Sequence, residues 1–393
     1  MTSLLIDVPA NAEDHAADAR LHTITHCEVC GGTSLAPGVE LGRHAMCDDL
    51  IAVGDARHCR KYPITIVHCA GCQTAHQLYQ IPKHELFPTS YHYRARLTGD
   101  VLRGMADLVT AVEAHRGPVA GLRVLDIGCN DGSLLSIFRE RGALTHGIEP
   151  TDAALDARAA GHDVTQAYFD ADSAAAFVAA HGQPDLITFT NVFAHIERLD
   201  LVIEALRPLL GPTTQLVIEN HYFGAVLDRD QFDTFYHEHP RTYSATSFAH
   251  IATRLGCAIQ RLEFPSRYGG NIRVTMAPAV DATAHAVALP DESGFGAALQ
   301  AMGARVEGWR AQMRQEIDAL VAVHGPLRAK AFPGRAAILV ELLGLDTTDL
   351  AAVYEQPGSP KIGHYVPGTR IPIVSDRDFD VTDSAPVLNL AWH

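Results

Sequence analysis

The segment FDTFYHEHPRTYS, residues 232 to 244, sets Tyr236, His237, Glu238 and His239 side by side. Imidazole and carboxylate can ligate a metal or move protons near neutral pH. A metal site, an acid–base site and a wet loop are all compatible with that segment alone. The cysteines are more specific: CEVC at 27 to 30 and CAGC at 69 to 72 each put two thiols on one tight turn. Four soft ligands, Cys27, Cys30, Cys69 and Cys72, suit tetrahedral Zn²⁺, whose binding offsets the ordering entropy of a region with little core. Each pair is also a C-x-x-C dithiol, but two such pairs favour metal over redox chemistry. His26, His68, Cys47 and Cys59 are spare donors outside the pair spacing. A closed four-sulfur site leaves no position for substrate, so a structural zinc is expected.

VLDIGCNDGSLL, residues 124 to 135, is a buried strand, a glycine turn and a helix start. Gly128 and Gly132 permit the sharp turn and close ligand approach, and Asp126 and Asp131 add carboxylates at the strand's carboxyl end, where ligands of open α/β sheets bind. A dinucleotide site would show G-x-G-x-x-G, whereas here the pattern is D-x-G-x-x-x-G. That form resembles motif I of class I S-adenosylmethionine (SAM) methyltransferases. The resemblance implies cofactor contacts from Asp126, Gly128, Asn130 and Gly132, with Glu149, at the end of the next strand in HGIEP, gripping the ribose hydroxyls. Phe169 and Asp170 are then expected beside the adenine, and Asn191, at the end of DLITFTN, near the methionine end.

These motifs need elements to hold them. With 393 residues, 47% of them hydrophobic, the chain can bury two or three domain cores. A formal net charge of −15 repels polyanions and argues against nucleic-acid or anionic-membrane partners. Residues 1 to 20 are expected to be a loose tail, and they lack a cationic segment ahead of an apolar run. No run of eighteen apolar residues follows anywhere, so a cytoplasmic protein is expected. Residues 21 to 90 are rich in Cys, His, Gly and Pro, with short strand-like runs such as ITIVH at 64 to 68. From about residue 96 helix and strand alternate: a helix near 98 to 115, RVLDIG, SLLSIFRER, LTHGIEP, DLITFT, LDLVIEALRPLL and TQLVIEN. This predicts a mainly parallel sheet. A long helix near 292 to 323 precedes a second α/β succession through KAFPGRAAILVELLG, LAAVYEQ and RIPIV.

Taken in order, the cysteine pairs, VLDIGCNDG, YPITIVHCAGCQTAHQLYQ, YHYRA, NVFAHI, FYHEHPRTYS, RYGGNIRV and HYVPGTRIPI resemble one family over nearly the whole chain. It is the zinc-containing SAM-dependent sugar C-3 methyltransferases that build branched deoxysugars on nucleotide carriers. The resemblance implies an α/β architecture of three domains: a small zinc-binding domain with four cysteine ligands (21 to 90), a class I SAM methyltransferase Rossmann-like domain (91 to 262) and a carboxyl-terminal Rossmann-like domain (263 to 393). It also implies a nucleotide-linked keto-sugar as the small-molecule partner; a monomer is compatible with the sequence, which does not fix the oligomeric state. Family members often carry a Gly-Ala-Ser-Ala-Lys-Gly type loop where this chain has AFPGRA, residues 331 to 336. Arg335 stands at the lysine position and can still pair with phosphate.

Methylating carbon beside a ketone requires a base for the C–H proton, and His239 is the expected base. By the resemblance, Tyr236 lies near the reacting sugar and Glu238 orients His239 or a sugar substituent. His195 matches another substrate-side position, and Tyr91 and Tyr93 reach the sugar from the edge of the zinc domain. In an extended segment Tyr236 and Glu238 would face away from His237 and His239. The loop must therefore bend for Tyr236, Glu238 and His239 to converge, leaving His237 as packing. Three other activities use the same residues: O- or N-methylation of a sugar, a zinc hydrolase on His237, Glu238 and His239, and a noncatalytic zinc-ribbon module. RYGGNIRV is expected to be a loop entering a strand, with Arg273 either near the nucleotide or in a structural ion pair.

Overall fold

A computed structural model describes residues 18, 20 to 91 and 93 to 391. The tail expected over residues 1 to 20 lies, except for Asp18 and Arg20, outside them. The central sheet has seven strands: β1 (Arg123–Ile127), β2 (Leu144–Ile148), β3 (Asp163–Thr165), β4 (Leu186–Thr190), β5 (Gln215–His221), β6 (Cys257–Glu263) and β7 (Asn271–Pro278). Their spatial order is 3-2-1-4-5-7-6. The first five are parallel, and β7 runs antiparallel to both β5 and β6. β1 and β4 read as nearly continuous apolar runs because helices cover both faces of a parallel sheet, burying almost every residue. This is the class I SAM methyltransferase topology. The sheet continues past residue 262: β7, hydrogen-bonded to both β5 and β6, carries it to Pro278.

The amino-terminal sheet is antiparallel, in the order Arg241–Thr242, Thr74–Gln77, Lys61–Cys69, Leu35–Ala45. Its outermost strand belongs to the segment directly after Pro240, so the chain returns from the central domain to complete it. The two cysteine turns pack into the core of the central domain, where Cys27, Val29, Cys69 and Cys72 share a cluster with Tyr243, Phe248 and Ile251. The carboxyl-terminal sheet is parallel, ordered Ile373–Ser375, Leu350–Glu355, Leu327–Lys330, Val387–Asn389. Its last strand was not anticipated: three residues are too short to show a period. The helix Phe295–His324 joins the outer domains, burying Leu299, Met302 and Val306 in one core with Val39 and Leu41 of the amino-terminal sheet and Val353 of the carboxyl-terminal one. Among the described residues no helix is long and apolar enough to cross a membrane.

A buried ionic network fixes β5 against β7. The Glu219 carboxylate accepts from Arg267 Nε at 2.7 Å, Arg273 Nε at 2.6 Å and Asn271 Nδ2 at 2.9 Å. Arg273 is thus a structural ion-pair partner. Arg267 lies so close to the helix Gly99–Arg116 that a Cβ on Gly104 would sit 1.0 Å from its Nη1. Removing the shared anion leaves Arg267 buried without its carboxylate and Arg273 with only Glu263, 3.8 Å away, which costs about 3–5 kcal/mol. Glu219→Ala is therefore expected to lower the denaturant midpoint by that equivalent in an unfolding titration.

Candidate active site

The carboxyl ends of β1, β2, β4 and β5 open into a cavity of about 830 Å³ that continues to the zinc domain and the carboxyl-terminal domain. At its cofactor end Gly128 has φ 72°, and a Cβ there would meet Val192 Cγ2 at 2.6 Å, so the turn needs glycine. Glu149 accepts from the Asn130 backbone N–H at 3.0 Å and from Thr151 N and Oγ1 at 2.9 and 2.6 Å. Asp126 accepts from Thr188 Oγ1 at 2.6 Å, and burial pushes its carboxyl up to about 7. Asn130, with φ 50°, turns its side chain away from the turn: Oδ1 accepts from Ala95 N and Nδ2 donates to Tyr93 O. Its side chain thus fastens the segment carrying Tyr93, and only its backbone shapes the turn. Phe169 lines the cavity and stacks edge-on against Phe189, with centroids 6.0 Å apart. Asp170 lines it too, but caps the helix Ala171–His181 by accepting from Ser173 N.

The polar atoms around this end suit an adenosylated amino acid. Thr190 Oγ1, Asn191 Oδ1 and both amide atoms of Asn220 are buried without a partner among the described residues, and all three residues line the cavity. Unsatisfied buried polar atoms cost about 1–3 kcal/mol each unless a ligand or water pairs them. Asn191 also has φ 55° and donates its N–H to Glu219 O at 2.8 Å, which holds it at the strand end.

At the opposite wall the HEH segment bends. His239 N–H donates to Tyr236 O at 2.9 Å, closing a turn that brings the two rings to a centroid distance of 4.2 Å. His239 Nδ1 lies 3.0 Å from Thr234 O. A carbonyl can only accept, so Nδ1 carries the proton and Nε2 keeps the basic lone pair. His239 is therefore oriented by Thr234 and not by Glu238. Burial, with His195 and His221 nearby, holds His239 well below the usual imidazole range, so it stays neutral. His195 Nδ1–H donates to Glu238 O at 2.8 Å, and its ring sits 4.8 Å from that of His239. Tyr91 donates to Glu238 Oε2 at 3.1 Å, while burial and the Asp48 carboxylate push Glu238 well above its ordinary value. A neutral Glu238 then has an O–H to offer the cavity. Tyr93 lines the outer part, 44% exposed. His237 turns the other way, donating from Nε2 to Tyr62 O at 3.1 Å.

Three contributors were not picked out from the sequence. His221 ends β5 with its ring 5.6 Å from that of His239. Asn220 precedes it, and the rule that ligands bind at carboxyl ends of parallel strands could have flagged both. Lys361 follows the strand Leu350–Glu355 and lines the cavity, donating to Phe332 O at 2.7 Å. Arg335 also lines it, but its guanidinium is engaged by Asp233 at 3.3 Å and Thr234 Oγ1 at 3.1 Å. It ties the carboxyl-terminal domain to the residue that orients His239. Of the two cations, Lys361 is the one without a carboxylate partner among the described residues.

The four cysteine sulfurs lie within 4.8 Å of one another, with Cys27 and Cys72 at 3.4 Å and Cys30 and Cys69 at 3.6 Å. Tetrahedral Zn–S bonds of about 2.3 Å require sulfurs about 3.8 Å apart, so the four residues fit zinc with little movement.

Three family models match the chain in tandem: a zinc binding domain over residues 27–87, a methyltransferase domain over 93–262 and a C-methyltransferase C-terminal domain over 266–393. The chain thus carries in tandem the domains that these three models describe, and it is a SAM-dependent methyltransferase. It is similar along its length to the C-methyltransferase NovU of Streptomyces niveus, at 27% identity over 380 residues covering 94% of this chain and 90% of that one. Among solved structures it is similar to SAM-bound magnesium protoporphyrin IX methyltransferase ChlM from Synechocystis PCC 6803, with TM-score 0.35, 14% identity and coverage of 46% of this chain and 80% of that one. An S-adenosylmethionine dependent methyltransferase from Mesorhizobium loti aligns with TM-score 0.36, 18% identity and coverage of 44% and 99%.

Cys27→Ser is expected to lose the bound zinc by elemental analysis. It should also lower the melting temperature, because the zinc turns form part of the central core. A second outcome concerns pH. Burial lowers His195 to about 4 and His237 to about 3 from an ordinary 6.5. Below 6.5 the unfolded chain binds protons that the folded protein refuses, so stability falls as pH drops from 6.5 towards 4. Each such histidine adds about 1.4 kcal/mol per pH unit. Denaturant titrations of His237→Gln over this range should show a slope smaller by about one proton.

Proposed function

We propose that the protein methylates C-3, beside the ketone of a nucleotide-linked 4-keto-deoxysugar. The observation that carries this is the tautomer of His239: a neutral imidazole with its Nδ1–H held by Thr234 O, in the cavity that also contains the Gly128 turn. Bound SAM supplies an electrophilic methyl group on its sulfonium. Gly128, Glu149, Asn191 and Phe169 would hold it, with Asn191 at the end nearest the histidines. His239 Nε2 takes the C-3 proton, and the C–H electron pair delocalises onto the ketone oxygen. A neutral Glu238, steadied by Tyr91, donates to a sugar oxygen as negative charge builds, in a site whose low polarity strengthens that bond. The electron-rich C-3 so formed would take up the methyl group that SAM supplies, leaving SAH. Tyr236, stacked on His239, and His195, tied to the Glu238 carbonyl, keep the two groups in register. Lys361 offers the diphosphate a cation, at the carboxyl end of a parallel strand where α/β sheets take ligands.

Incubation in D₂O with SAH and a nucleotide-linked 4-keto-deoxysugar tests the base. The wild type should exchange the C-3 proton. His239→Gln should lose exchange and methyl transfer by about 10²–10⁴ while still binding SAH. Product NMR showing the methyl on oxygen, on nitrogen or on the other carbon flanking the ketone would overturn the assignment.

A further inference from the structure

We propose a second metal site, distinct from the cysteine turns, on the outer edge of the central sheet: His146, Asp163 and His181 form a two-histidine, one-carboxylate set for a borderline divalent ion such as Zn²⁺, Co²⁺, Ni²⁺ or Cu²⁺. The three residues offer ligand atoms that all lie within 4.8 Å of one another. His146 Nδ1 is 3.1 Å, and His181 Nε2 3.6 Å, from the same oxygen, Asp163 Oδ2. Metal–ligand bonds of about 2.0–2.2 Å in tetrahedral geometry need ligand atoms about 3.3–3.6 Å apart, so small side-chain rotations suffice.

The backbone holds this arrangement. His146 in β2 and Asp163 in β3 are direct register partners, so their side chains leave the same face of the sheet side by side. His181 is the last residue of the helix Ala171–His181, which ends at Gly182 with φ 75°. Phe177, one turn back, packs against both imidazoles, with centroids 5.5 Å from His146 and 5.1 Å from His181. The rings themselves are 4.1 Å apart. Neutral nitrogen donors with one carboxylate favour this group of ions over Mg²⁺ or Ca²⁺, which take mainly oxygen. Asp163 is 63% exposed in its side chain, so the ion reaches the site directly from solvent and keeps water in its remaining positions. None of the three residues lines the reaction cavity. The ion therefore acts structurally, joining β2, β3 and the carboxyl end of the helix whose other end presents Asp170 to the cavity.

The test uses the full-length protein with its cysteine turns loaded with zinc and loose metal removed. Calorimetric titration with Co²⁺ should show one further equivalent per chain, and its visible spectrum should lack the thiolate charge-transfer bands that cobalt in the cysteine turns would give. His181→Ala and Asp163→Asn should each weaken this binding by at least about tenfold. Both should keep the original zinc and the metal-free melting temperature. A wild type that takes up no second equivalent, a second equivalent with thiolate bands, or unchanged affinity in both variants would overturn the site.

Discussion

The active site depends on a two-residue strand. Arg241 and Thr242 pair with His76 and Ala75 of the amino-terminal sheet, directly after the bent HEH segment. Gln77 reinforces the join, its N–H donating to Pro240 O at 2.9 Å and its side-chain amide lying 3.3 Å from Phe235 O. The Arg241 side chain, fully buried, reaches Glu28 between the first two cysteines at 2.5 Å. Such a desolvated pair gains little over an apolar one, but it is costly to break from one side, by about 3–5 kcal/mol. It therefore specifies where the loop sits. The zinc turns thus bear on the position of the HEH segment, because the strand that receives it begins two residues after Cys72.

The other flank of the loop is held by apolar burial. Phe232 and Phe235 enter the core shared by the amino- and carboxyl-terminal domains. Arg335 adds contacts to Asp233 and Thr234. Thr234 in turn orients His239, so a residue of the third domain bears on the tautomer of the base through one intermediate. All three domains meet at a segment of about eight residues, and no domain alone would fold it. That explains why one cavity runs between them.

Much of this was legible because it is local. The glycine turn, the carboxylate ending the next strand and the cysteine pairs are fixed by short-range geometry, and residue types at set spacing report them. The central strands were visible as apolar runs. What escaped was long-range. Asn130 looks like a cofactor contact in its motif, yet its amide is spent on Tyr93 and Ala95, far upstream. Arg335 reads as a phosphate ligand by position, but an acidic neighbour brought in by the fold claims it. β7 lies beyond a glycine-rich bend, and its pairing with β5 and β6 is not visible in the sequence. His221 and Lys361 stand in segments with no chemical signature of their own, and only the sheet topology places them at a ligand edge.

The histidine cluster shows what burial does to a base. The rings of His195 and His221 lie 4.8 and 5.6 Å from that of His239, and both disfavour a proton on it. In water such a cluster would titrate near neutrality. Burial, with those two rings, holds His239 well below the usual imidazole range, which keeps its lone pair free and reduces its strength as a base. The preceding residue on the same segment is shifted the other way. Glu238 is kept protonated by the same burial and by Asp48. The segment thus sets an imidazole that burial favours without its extra proton beside a carboxyl that burial favours with one. The proposed proton abstraction uses that arrangement, because the charge His239 would gain is balanced by the charge Glu238 would stabilise.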